Sequence, residues 1–116
     1  MINLNNDRRV GAVFYGSVAD FEELLFHEET LEFALTRIKG APEGEHPVFE
    51  ADGDNDLEVV LEGTISQFEH FFNSESMRSD VFGKIEDFGG FADVLVFEAD
   101  DDGFILTSVV GFDVAD

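Results

Sequence analysis

The residues that could do chemistry here are carboxylates. Residues 43–62 carry Glu43, Glu45, Glu50, Asp52, Asp54, Asp56, Glu58 and Glu62 with no base among them. Residues 86–102 carry Glu86, Asp87, Asp93, Glu98, Asp100, Asp101 and Asp102, again with none, and Asp20, Glu22, Glu23, Glu28, Glu29 and Glu32 precede both runs. Side chains two apart on an extended strand leave the same face about 6.6–6.8 Å apart. A strand of B-DNA carries one charge per roughly 3.4 Å of helix axis. Carboxylates held on strands and turns therefore approach the charge density of a phosphate row. Proteins that bind nucleic acid grip such rows chiefly with Lys and Arg. Glu50, Asp52, Asp54, Asp56, Glu58, Glu62, Glu98, Asp100, Asp101 and Asp102 are the candidate phosphate surrogates.

Other chemistries find little support. Starting at Glu98, Asp100, Asp102 and Gly103 fit positions 3, 5 and 6 of a calcium loop, but position 12 is Val109 rather than Glu. Starting at Asp52, positions 6 and 12 are Leu57 and Gly63, which also fails. His27, His46 and His70 each neighbour an acid but do not converge in sequence, so they read as surface histidines. No P-loop, dinucleotide fingerprint, nucleophile elbow or HExxH motif occurs. With 27 acids, a close carboxylate pair of the glycosidase kind carries no information. The expectation is no catalytic residue, no metal and no cofactor, with a weak cation site of another kind in either acidic turn left open. The absence of Cys excludes disulfides and thiolate zinc sites.

Elements must hold these acids in place. Val10–Tyr15 reads as a strand ended by Gly16, and Ser17 with Asp20 opens a helix that runs to about His27. Glu28–Lys39 fits either period: Leu31, Ala34, Leu35 and Ile38 a helix, Leu31, Phe33 and Leu35 a strand. The strand is slightly favoured, because one helix of more than twenty residues is long for a domain of this size. His46–Ala51 and the alternating Leu57–Glu62 are strands, and Thr64 caps a helix bearing Ile65, Phe68, Phe71 and Phe72. Asn73–Ser79 reads as a polar break and Val81–Phe91 as short or irregular. Val94–Phe97 suits a central strand, and Asp-Gly at 102–103 turns it into a return strand over Phe104–Val110.

Two stretches resemble each other at a spacing of 47–48 residues. Gly16-Ser17-Val18 with Phe21-Glu22 and Leu24-Leu25 matches Gly63-Thr64-Ile65 with Phe68-Glu69 and Phe71-Phe72, and Val48–Asp52 matches Val96–Asp100. The expected fold is a single α+β domain over 1–116: an antiparallel sheet of about five to six strands with two helices on one face. It is either a duplication of about 10–56 and 57–116 or two helix starts with similar caps. A helical 28–39 makes it a ferredoxin-like βαββαβ with one more strand.

The chain of 116 residues is 44% apolar, with fourteen Phe, and so has material for a core. Its formal charge of −21 destabilises compaction through self-repulsion, so salt and mild acid should stabilise it. Residues 1–39 hold seven acids and four bases; residues 40–116 hold twenty acids and only Arg78 and Lys84. Such a field repels nucleic acid and anionic membranes and attracts basic proteins. Without a signal-like or membrane-length apolar run, the expectation is a cytoplasmic monomer.

In length, charge and lack of catalytic motifs the chain resembles the DNA-mimic proteins of bacteria and phages. These include anti-restriction and anti-CRISPR proteins, uracil-glycosylase inhibitors and the small neisserial mimics, one of which targets the histone-like protein HU. The resemblance rests on composition and length and implies an inhibitor that blocks the nucleic-acid site of a basic protein: a histone-like protein, a nuclease, or a CRISPR or restriction component. Two alternatives stay open: an immunity protein against a basic nuclease toxin, and a halophilic domain whose acids serve hydration. Fourteen Phe fit the halophilic reading poorly.

Overall fold

A computed structural model describes residues 8–42, 45–51, 53, 56–90, 92–100 and 103–111. Five strands and four helices follow in order: β1 (Arg9–Gly16), α1 (Val18–Phe26), α2 (Glu28–Gly40), β2 (Val48–Glu50), β3 (Leu57–Thr64), α3 (Ile65–Phe72), α4 (Glu75–Phe88), β4 (Val94–Asp100) and β5 (Gly103–Val110). The fold is α+β, built on one sheet in the order β2-β1-β3-β4-β5.

The sheet is mixed rather than antiparallel. β1–β3 and β4–β5 are antiparallel, but β1–β2 and β3–β4 are parallel. Parallel neighbours need a crossover, and each is a pair of helices. The order strand–helix–helix–strand thus occurs twice. β1 and β3 start at 9 and 57, α1 and α3 at 18 and 65, and α2 and α4 at 28 and 75.

Both helix pairs begin with a capping box. The Ser17 hydroxyl accepts from the Asp20 N–H while the Asp20 carboxylate accepts from the Ser17 N–H; Thr64 and Gln67 repeat the arrangement. Residues 28–39 are helical, correcting the strand reading. The length objection fails because the chain breaks at His27, whose extended backbone (φ −100°, ψ 120°) ends α1 and starts α2. The Thr30 hydroxyl has the carbonyls of His27, Leu24 and Glu23 within reach (2.8, 3.0 and 3.1 Å) and shares its one proton among them, stitching the two helices at the break. A second correction is α4. Ser74 caps its first turn through the Met77 N–H, and Val81, Phe82 and Ile85 reach the core, so the span read as a polar break and irregular segment is one helix of 14 residues despite Gly83. Buried contacts override the cost of about 1 kcal/mol for a mid-helix glycine. The strand expected over His46–Ala51 shortens to Val48–Glu50.

All four helices lie on one face of the sheet. Val10, Ala12 and Phe14 of β1, Leu57, Val59 and Leu61 of β3, Leu95 and Phe97 of β4 and Phe104 of β5 share one buried cluster with residues from each helix. Phe104 packs with Phe68 and Phe71, ring centroids 5.2 and 4.9 Å apart, and Phe71 with Phe72 at 5.2 Å. Each such aromatic pair adds about 0.5–1.5 kcal/mol beyond area burial. Among the described residues, no helix lies on the opposite face of the sheet.

Candidate functional site: the helix-free sheet face

Alternation along the strands decides what the helix-free face presents. In β3 the odd residues are buried, so Glu58, Val60 and Glu62 point the other way. Register carries that face across the sheet. One row runs Glu50, Tyr15, Glu58, Val94 and Val110. The next runs Val48, Val13, Val60, Val96 and Ser108. A third runs Gly11, Glu62, Glu98 and Ile105. His46 covers Gly11; a Cβ on Gly11 would lie 2.6 Å from the imidazole Nδ1. The face is therefore a valine band between two carboxylate rows. Val48, Ile105 and Val110 are exposed, at 44%, 53% and 51%.

Of the candidate phosphate surrogates, Glu50, Glu58, Glu62 and Glu98 come together on this face. Asp100 continues the same side of β4 at its exposed end, and Asp56 is exposed just before β3. Asp52, Asp54, Asp101 and Asp102 lie outside the described residues. Glu62 and Glu98 are direct neighbours across β3 and β4, one strand spacing of about 4.8 Å apart. Glu58 and Glu62 are four residues apart on β3, which places the two rows about 13 Å apart.

Tyr15 sits between Glu50 and Glu58 and registers their field. Its phenol is held above the usual 10.0, first by the Glu58 charge, then by desolvation, by its hydrogen bond with Glu58 and by the Glu50 charge. Sequence reading missed Tyr15 and the valine band. VGAVFY and LEVVLEG show the alternation, but which alternate set faces helices, and which strands lie side by side, is invisible before the register is known.

Four of the six cations serve the fold, while Arg9, exposed at the start of β1, stands on the same side of that strand as Gly11, Val13 and Tyr15 and adds one positive charge at the border of this face. The Arg78 guanidinium donates to the Leu25 carbonyl at the end of α1 (2.7 Å), and Arg8 to the Lys39 carbonyl at the end of α2 (2.9 Å). Arg37 donates to the Val48 carbonyl (3.1 Å) while lying 4.8 Å from the Phe49 ring centroid. Lys39 pairs with Glu69 on the helical side at 2.9 Å, the one ion pair among the described residues. Carbonyls at helix ends have no intrahelical partner, so each arginine there satisfies an otherwise open acceptor.

Phe26 and Phe33 are exposed, at 40% and 60%, while Phe88 packs partly against the core. Phe33, Phe49 and Arg37 border a cavity of about 520 Å³ beside the short edge strand β2, with Phe14, Tyr15 and Glu50. Among the described residues, no group of three or more His, Asp or Glu converges as metal ligands, and no helix is long and apolar enough to cross a membrane. His27, His46 and His70 are all exposed.

No protein-family model, curated protein or solved structure matches the chain.

Proposed function

We propose that this chain is a non-catalytic acidic inhibitor that occupies the nucleic-acid-binding site of a basic protein, its carboxylate rows standing in for phosphates. The observation that carries this reading is the helix-free sheet face, where Glu50 and Glu58 form one row and Glu62 and Glu98 another. Their separation of about 13 Å is comparable with the roughly 12 Å width of the DNA major groove. A rigid sheet holds the charges in place before contact, so little ordering entropy is lost on binding. Arg8, Arg37, Lys39 and Arg78 hold helix ends, the β2 backbone and Glu69, so that Arg9 is the one base on this side of the described strands and the face stays net anionic. Association should be fast and salt-sensitive. The protein acts as a cytoplasmic monomer, kept from self-association by its charge of −21.

Competition tests this. A fluorescent duplex is bound to a purified bacterial histone-like protein, and the chain is titrated in. It should displace the duplex, less well as salt rises. Glu50, Glu58, Glu62 and Glu98 all changed to Gln should weaken displacement at least about tenfold, a loss of about 1.4 kcal/mol. The same charge change on the helical side, Glu22, Glu28, Glu29 and Glu32 to Gln, should have little effect. Equal losses from the two variants mean that net charge alone acts, and the assignment to the sheet face fails.

Exposed Glu22, Glu23, Glu28, Glu29 and Glu32 on the helical side favour a second reading, surface hydration in high salt. A halophilic domain should unfold in dilute buffer; an inhibitor from an ordinary cell should stay folded there.

A further inference from the structure

We infer that the valine band on the helix-free sheet face is a seat for one cationic amphipathic α-helix of the partner protein, its apolar seam on the valines and its Lys or Arg flanks on the two carboxylate rows. This inference rests on the inhibitor reading and specifies what part of the partner is held.

Three observations lead to a helix. First, the band is apolar where a pure phosphate replica has no reason to be. Val48, Val13, Val60 and Val96 are adjacent across four strands, and no described helix covers them. A basic segment with no apolar side would gain nothing from these four side chains. Second, the rows beside the band are about 13 Å apart, and a helix with its side chains is about 10–12 Å across. From Val48 on β2 to Val96 on β4 the band spans three strand spacings, about 14 Å, which a helix of about 10 residues covers. Third, this is the face of the sheet and not its edge. The strands' backbone groups are directed along the ladder, so a segment lying on the face must satisfy its own N–H and C=O groups. A helix does so internally.

Charge selects the partner's sign. Glu50 and Glu58 flank the band on one side and Glu62 and Glu98 on the other, with Tyr15 between the first two. A helix with Lys or Arg along both edges of an apolar seam meets opposite charge on both sides. A second copy of this chain brings another −21, and an anionic lipid surface is repelled in the same way.

The probe is a synthetic 14-residue peptide of Lys and Leu with the leucines on one helical face. A control peptide of the same composition has its leucines dispersed. Binding is read by fluorescence anisotropy, and the contacted residues by amide chemical shifts of the labelled full-length chain. The amphipathic peptide should bind at least about tenfold tighter than the control, with shifts concentrated in β1, β3 and β4. Changing Val13, Val60 and Val96 together to Thr keeps charge and strand preference but removes apolar contact. It should cost about tenfold in amphipathic-peptide affinity and erase most of the preference over the control. The Gln variant of Glu50, Glu58, Glu62 and Glu98 should weaken both peptides.

If the valine variant binds as well as the native chain while the Gln variant is weakened, the helix seat is wrong and the inhibitor reading stands. If neither variant changes binding, both fall. The shift map on the unaltered chain covers the case of a variant that does not fold: shifts confined to the helical layer overturn the seat.

Discussion

Changing Glu98 to Lys should stabilise the fold and weaken its binding. Glu98 is exposed on β4 and directly opposite Glu62 on β3. Like charges facing each other across strands cost about 0.2–1 kcal/mol, and opposite charges return a similar amount. Two unit charges about 5.5 Å apart interact by about 0.8 kcal/mol in bulk water and about 3 kcal/mol at an effective dielectric of 20. Both side chains meet solvent, so the lower end applies, and reversing the sign is worth about 1–1.5 kcal/mol. The substitution also moves the net charge by +2, from −21 to −19, which reduces self-repulsion in the same direction. At about 4 °C per kcal/mol, Tm in low salt should rise by about 4–6 °C. Glu98→Gln should give about half of that. In 1 M NaCl the Debye length is about 3 Å and most of the gain should vanish. Displacement of DNA from a basic protein should move the other way and weaken several-fold. Thermal melts by circular dichroism at 10 mM and 1 M NaCl, beside the competition assay, read all three effects. An unchanged or lower Tm in low salt would refute the proposed repulsion between facing carboxylates. A gain that persists in high salt would assign it to packing instead of charge.

Tyr15 reports the same field from within. Its absorbance titration should have a midpoint above 10.0, and Glu58→Gln should lower that midpoint more than Glu50→Gln, since Glu58 contributes both charge and a hydrogen bond. The sign for stability follows from linkage. The folded phenol keeps its proton to higher pH than the unfolded one, so its contribution is fully present below about pH 10 and is lost as pH rises through the folded midpoint. A titration midpoint at or below 10.0 contradicts the placement of Tyr15 between two carboxylates. In the interior, Gly63→Ala should destabilise by about 1–3 kcal/mol through overpacking, because the added Cβ would stand 2.7 Å from the Ala99 Cβ and 3.1 Å from the Gln67 amide oxygen. Urea denaturation checks it, and a neutral result would contradict the close approach of β3 and β4 at Gly63 and Ala99. Ser17→Ala and Thr64→Ala should each cost about 1 kcal/mol in the same assay, and an effect on only one would break the parallel between the two capping boxes.

Several local features could be read from the chain alone, each resting on contacts between near neighbours. Gly16-Ser17 and Gly63-Thr64 announce helix starts because a hydroxyl and a residue three places on can cap each other without help from the rest of the fold. Leu57, Val59 and Leu61 alternate with Glu58, Val60 and Glu62 because a pleated strand buries one side. Where local signals compete, tertiary packing decides. Glu28–Lys39 supports two periods, and it is helical because Ala34 and Ile38 reach the core and Thr30 stitches the break at His27. α4 has a glycine and a polar first half, and it exists because Val81, Phe82 and Ile85 have a sheet to pack on.

The candidate site divides in the same way. The sequence determines the density of acid, the shortage of bases and the outward side of β3, since these depend on composition and on a period of two. It does not determine that β2 lies parallel to β1 and β4 parallel to β3. Those pairings join residues 35 or more positions apart (Val13 with Val48, Glu62 with Glu98), and no local preference encodes them. They alone bring Glu50 beside Tyr15, set Glu62 against Glu98 and align four valines from four strands, because lateral neighbours in a sheet are chosen by the crossover helices that carry the chain from one strand to the next.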